Sequence, residues 1–85
     1  MLATITQYFN NKMTRVALGS TVLWFSYQTL IAFEVRHPTG FVKAVRQNEW
    51  GPTTGEHINS LGVAPEIRVD ASTFEALYRT HVERN

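Results

Sequence analysis

Residues 17–22 have the sequence ALGSTV, in which a Gly-Ser pair separates two runs of β-favouring residues. Such a pair between two runs predicts a tight two-residue hairpin turn. The run before it, residues 14–18, and the run after it, residues 21–27, are rich in β-branched and aromatic side chains. This stretch therefore predicts two antiparallel strands, and the rest of the fold is built outward from them.

The hairpin continues into a longer antiparallel meander. Residues 30–35 are apolar on both faces until Glu34, which is typical of a central strand, and a bend, bulge or short turn near residues 27–29 must precede it. A Pro- and Gly-containing turn at residues 36–40 then leads to residues 41–46, which carry charges on both faces and suit an edge strand.

Two helices are expected in the second half of the chain. Thr53 and Glu56 have the spacing of a capping box at the start of a short helix, and Gly62 is suited to its end. Residues 66–70 alternate in polarity, so a short edge strand is also compatible with them. Asp70 or Ser72 caps the last helix. Its apolar stripe consists of Phe74, Leu77, Tyr78, His81 and Val82.

We therefore predict an α+β fold in one small domain, residues 1–85. It has an antiparallel sheet of three to five strands, a β-meander packed on one face by two helices, the C-terminal one the longer. Residues 1–12 fit a peripheral strand or a short helix, and strand propensity favours the strand. The expected sheet partners of the C-terminal helix are Leu23, Phe25, Ile31 and Phe33.

Composition excludes several classes of protein. Lys and Arg number 8 against 7 Asp and Glu, so neither a general nucleic-acid binder nor an acidic DNA mimic is indicated. There is no cysteine, and the three histidines have no spacing typical of a metal site. No apolar run reaches the length of a membrane span. We expect a cytoplasmic protein that has no cofactor or metal and does not contact a membrane.

Two separated motifs resemble a family of small proteins of unknown function from phages, prophages and other mobile elements. The first is FSYQTLIA, residues 25–32, and the second is WGPTTGEHIN, residues 50–59; the family pattern runs FSYxTxxAF and then TTxxHIN. The likeness covers residues 14–80, with Leu30 where the family usually has proline. It implies a mobile-element origin and work inside a bacterial host cell, and it brings no known activity.

The candidate partner-binding residues surround the second motif. His57 is either a general base or ligand anchor, or a structural residue that hydrogen-bonds a backbone carbonyl or Tyr27 and ties the helix to the sheet. Ser26 could join it in a hydrolase-like arrangement, but no nucleophile elbow surrounds that serine, so we predict no catalytic residues. The candidates are Tyr27, Trp50, Thr53, Thr54, His57 and Asn59.

A second candidate surface is basic. Cations with aromatic neighbours on a sheet are how many proteins hold single-stranded nucleic acid, although charges at a sheet edge also serve only to block edge pairing. The residues concerned are Arg15, Arg36, Lys43 and Arg46.

The sequence is compatible with three functions. The first is a non-catalytic protein that binds a host or defence-system protein, as an anti-CRISPR-like inhibitor or host modulator would. The second is a nucleic-acid-binding accessory protein, and the third is a small-ligand-binding domain. A homodimer formed by sheet extension is compatible with all three.

Overall fold

The computed structural model describes residues 3–83 of the 85-residue chain. Five strands form one antiparallel sheet in sequence order. The first strand confirms the expected N-terminal strand, although residues 1–2 lie outside the described part of the chain. The strands are β1 (Ala3–Tyr8), β2 (Met13–Leu18), β3 (Thr21–Ser26), β4 (Thr29–His37) and β5 (Gly40–Val45).

Three of the four connections are two-residue turns. Gly19 and Ser20 join β2 to β3, and Gly19 has a φ of 57°, a conformation that glycine adopts without strain. Tyr27 and Gln28 join β3 to β4, so the expected break near residue 27 is a hairpin turn. A register shift beside Trp24 and Phe25 adds a β-bulge on the facing strand at Ile31.

Two helices follow the sheet, and the fold is α+β as predicted. The first, α1, spans Pro52–Asn59, and the second, α2, spans Ala71–Tyr78 and continues as a π-helical turn over Arg79–Glu83, which makes it the longer. A single 3-10 turn, Pro65–Ile67, precedes α2. The expected edge strand at residues 66–70 is reduced to one parallel bridge between Arg46 and Val69.

The helix starts differ in part from expectation. The N-cap of α1 is Gly51, with Pro52 at the first helical position and no side-chain cap; Thr53 is already inside the helix, so the capping-box assignment was wrong. Proline suits that position because its missing N–H would be unpaired there anyway. Asp70 caps α2, where its carboxylate accepts a 2.8 Å hydrogen bond from the Thr73 amide, while Ser72 lies within the helix.

The two helices cover opposite faces of the sheet, which corrects the expectation that both pack on one face. Neighbouring residues of a strand point to opposite faces. Ala32 packs with Ile58 of α1, whereas the adjacent Phe33 packs with Phe74 of α2. Ile31 lies on the α1 side because of the bulge, so it is not a partner of α2.

On both faces, the helices cover the part of the sheet around β4 and leave β1 exposed. The central strand β4 is buried on both faces, with Ile31, Ala32 and Phe33 at 0% exposure. The outer strand β1 is exposed along most of its length, and Ile5 is 63% exposed. None of the helices within residues 3–83 is long and apolar enough to cross a membrane.

Replacing Phe74 with alanine tests the packing of α2. Phe74 is 4% exposed, and its ring lies 5.3 Å from that of Phe33. We expect the free energy of unfolding to fall by about 3–5 kcal/mol, because the substitution leaves a cavity between helix and sheet. Urea denaturation followed by circular dichroism measures the change. Ile67→Ala is the control, since Ile67 is 67% exposed; equal effects of the two substitutions would contradict the placement of α2.

Candidate functional site

A buried polar cluster joins α1 to the end of β3. Ser26 Oγ lies 2.7 Å from His57 Nδ1 and 2.9 Å from Thr54 Oγ1. Thr54 and His57 lie three residues apart on α1, so both face the sheet on one side of the helix. Ser26 is 1% and His57 0% exposed. The cluster therefore ties the helix to the sheet through a hydroxyl, rather than through the backbone carbonyl or Tyr27 that we had expected.

Two residues in left-handed backbone conformations enclose the imidazole. Phe9 has a φ of 51° and its ring centroid lies 4.7 Å from that of His57; Tyr27 has a φ of 55° and lies 6.0 Å away. A bulky residue in this region is strained, and such strain persists only where the surroundings hold it. The β1–β2 loop was not identified from the sequence as part of this cluster, because nothing local marks Phe9 as its neighbour.

Burial lowers the pKa of His57 below its ordinary value, and Lys12 adds to the lowering while Glu56 opposes it. His57 Nε2 is buried and makes no hydrogen bond. A charged imidazolium would have to bury an unpaired N–H at that atom, so the neutral ring is favoured. Thr53 and His57 together line a cavity of about 230 Å³.

The chemistry open to this cluster is limited by its burial. A serine beside a histidine suggests a nucleophile and its base. However, the Ser26 hydroxyl is enclosed and is shared with Thr54, so no substrate atom can reach it in this structure. The arrangement acts as a polar clamp. No group of three or more potential metal-ligating side chains occurs within residues 3–83.

The remaining partner-binding candidates do not join the cluster. Asn59 is exposed at the last residue of α1. Trp50 is 39% exposed, and its ring lies 4.7 Å from the guanidinium of Arg46. Arg46 also forms a 2.6 Å ion pair with Glu49. In the loop before α1, the half-exposed Trp50 ring therefore packs against Arg46, whose position is held by the ion pair with Glu49.

Three of the four basic candidates share the α1 side of the sheet. Trp24 lies opposite Arg15 on β2 and opposite Ala32 on β4. It is on the α1 side of the sheet because it packs against the core cluster that contains Ile58 of α1. Because side chains alternate between faces along β4 and β5, Lys43 and Arg36 lie on the same face as Trp24. Arg46 lies on the opposite face, 5.6 Å from the ring of Phe74.

This open surface combines cations with aromatic rings. The Arg15 guanidinium lies 5.8 Å and the Lys43 ammonium 5.4 Å from the centroid of Trp24. Ala32, whose side chain is a single methyl group, lies opposite Trp24 on the strand between β3 and β5. Phe41, 65% exposed, is paired with Arg36, and Glu34 is the acidic neighbour. We call this surface the basic-aromatic face: Arg15, Trp24, Arg36, Phe41 and Lys43.

Comparison with known proteins assigns the chain to a family without assigning an activity. The family described as a family of unknown function (DUF8033) matches residues 3–75. The chain belongs to this family. No curated protein and no solved structure matches it. The resemblance to an uncharacterised family is thereby confirmed at the level of the domain, which includes all five strands, α1 and the start of α2.

The pH dependence of stability tests the state of His57. Because its pKa is lowered in the folded protein, the unfolded chain binds the extra proton as the pH falls below the ordinary value of 6.5. Stability should therefore be complete above about pH 6.5 and decline as the pH falls toward the lowered pKa. Urea unfolding at several pH values between about 7 and 5 measures this decline.

His57→Gln is the matched variant, since it removes the titrating ring and keeps a polar side chain. The variant is expected to be less stable at neutral pH and to show a shallower decline with acid. Equal slopes for the two proteins would show that His57 does not titrate differently on folding.

Ser26→Ala tests the clamp itself. The substitution removes the shared hydroxyl and leaves His57 Nδ1 and Thr54 Oγ1 without that partner inside the protein. We expect a loss of about 1–3 kcal/mol in the free energy of unfolding, as for other buried polar groups that lose a partner. Ser72→Ala, at an exposed position on α2, is the control. An unchanged unfolding curve for Ser26→Ala would contradict the clamp.

Proposed function

We propose that this protein is a non-catalytic accessory protein of a phage or other mobile element, and that it binds single-stranded nucleic acid in the bacterial cytoplasm. The observation that carries the proposal is the position of Trp24 between Arg15 and Lys43 on an open sheet surface. Trp24 is half-buried, and the charged groups of Arg15 and Lys43 lie over its ring. Cations grouped with an aromatic ring on a sheet offer ion pairing to phosphates and contact to a base.

The charge distribution supports this surface more than the net charge does. The whole chain is close to neutral at +1, yet the basic-aromatic face holds three cations with Glu34 as its acidic neighbour. A flat sheet face suits an extended single strand, whereas a duplex is usually read by an element that enters a groove. With three cations the binding is weak and strongly dependent on salt.

An additional cavity lies beside this face. It has a volume of about 390 Å³ and adjoins Trp24. Two aromatic residues of the β1–β2 hairpin, Tyr8 and Phe9, line it, and Met13 and Leu61 supply apolar surface. Aromatic walls next to a cationic surface favour a planar base that is turned out of the strand.

Fluorescence anisotropy with a labelled oligothymidine tests the proposal. Three phosphate contacts predict a log–log dependence of affinity on salt with a slope of about −2. Lys43→Ala should weaken binding and reduce the slope by about 0.7. Trp24→Leu should weaken binding by about 1–3 kcal/mol through lost stacking.

Arg79→Ala is the control with the same change in charge, since Arg79 lies beyond α2 on the other side of the sheet. It should leave both the affinity and the salt slope unchanged. Absence of binding at low salt, or an equal loss in Lys43→Ala and Arg79→Ala, would reject the basic-aromatic face as a nucleic-acid surface.

A second candidate function is the binding of a host or defence-system protein, as an inhibitor or host modulator, through Trp50. The supporting observation is that this exposed tryptophan rests on Arg46, which is itself held by Glu49. Preorganised aromatic and arginine side chains are frequent interface hot spots. Trp50→Ala would then abolish co-purification of a partner that survives nuclease treatment, without lowering the melting temperature.

A further inference from the structure

We propose that β1 pairs antiparallel with β1 of a second copy of this chain, about a two-fold axis perpendicular to the sheet at Ile5. The pairing would join two five-stranded sheets into one continuous sheet. This inference does not rest on the proposed nucleic-acid function. It concerns the outer edge of β1 and uses none of the residues of the basic-aromatic face.

The first observation is an unprotected edge. One side of β1 pairs with β2, and its other side pairs with no strand within residues 3–83. The sequence of β1, ATITQY, has no charged residue and no proline. Sheet edges that remain single are usually blocked by such residues, or covered, because an open edge is a template for another strand.

The other edge of the same sheet shows the contrast. The outer strand β5 carries Lys43. Beyond its end, Arg46 bridges to Val69, where the Val69 amide donates a 2.9 Å hydrogen bond to Val45. The edge at β5 therefore carries a charge and is partly covered by the segment around Val69. Within residues 3–83, the edge at β1 has no charged residue and no strand paired with it.

The second observation is an apolar row that reaches this edge. Cross-strand pairing on the α2 side of the sheet is continuous from β1 to β5. At the inner end Phe33 is 0% exposed beneath α2, whereas at the outer end Ile5 is 63% exposed. The row consists of Ile5, Val16, Leu23, Phe33 and Ala44.

These observations select one register. A two-fold axis perpendicular to the sheet keeps each face continuous across the junction, and residues directly opposite must then lie on the same face. The axis must therefore pass through a residue position. Ile5 and Thr6 are the central positions of β1, and centring on Ile5 places it beside Ile5 of the second copy.

This register matches the whole strand. Ala3 then faces Gln7, Thr4 faces Thr6, and the apolar row runs unbroken through both copies. Threonine pairs and aliphatic pairs stabilise neighbouring strands, and the lack of charge in β1 means that no like charges meet. A symmetric, self-complementary edge of this kind fits a second copy of the same chain.

Cysteine cross-linking tests both the partner and the register, because the chain has no cysteine of its own. In Ile5→Cys, two side chains meet directly across the junction, close enough for mild oxidation to join them. In Ala3→Cys, on the same face of the same strand, the two sulfurs are offset by four residues, about 13 Å. We expect a covalent dimer from Ile5→Cys and none from Ala3→Cys.

Analytical ultracentrifugation of the unmodified chain gives the second measurement. The mass should rise from 9.7 kDa toward twice that value as the concentration increases. Ile5→Lys should remain monomeric and folded, since Ile5 is exposed and charge blocks the edge. A monomer at every concentration, or equal cross-linking of the two cysteine variants, would overturn the proposal.

Discussion

The structure depends on the burial of β4 on both of its faces. Ile31 and Ala32 face α1 and Phe33 faces α2, and all three are fully buried. An antiparallel sheet with one apolar face needs one covering layer, whereas a central strand that is apolar on both faces needs two. The chain meets this requirement with α1 on one face and α2 on the other, each supplying one large anchor, Ile58 and Phe74.

That division leaves part of the sheet uncovered. Two short helices cannot span five strands on both faces, so cover is concentrated over β4 and the adjoining end of β5, and β1 remains exposed. The basic-aromatic face and the exposed β1 edge are both consequences of this arrangement. The cluster of Ser26, Thr54 and His57 fixes α1 over the sheet through buried hydrogen bonds, in addition to the apolar contact made by Ile58.

The order of strands and helices could be predicted from the sequence because its signals are local. A Gly-Ser turn, a two-faced apolar run and an amphipathic stripe beginning at Phe74 each act within a few residues. The assignment of both helices to one face was wrong because Ala32 and Phe33, adjacent on β4, are both buried and point to opposite faces, so each face has its own helix. The bulge explains only the position of Ile31, which it turns toward α1 beside Ala32. No local pattern marks that bulge.

The candidate residues show the same limit. One of the two alternatives for His57 was a tie between α1 and the sheet, but its partner, Ser26, is distant in sequence and the Phe9 loop is more distant still. Arg15 and Lys43 were among the candidate nucleic-acid-binding residues. Whether their side chains lie on the same face of the sheet depends on strand register, which the composition of the strands does not determine. The register places Trp24 between them.

The most direct test of this account is an amide and indole chemical-shift titration of the labelled protein with a short oligothymidine. We expect shifts at Arg15, Lys43 and the Trp24 indole, with little change along α2. Shifts confined to the Trp50 loop or to α2, or none at low salt, would contradict the claim that the basic-aromatic face is the binding surface.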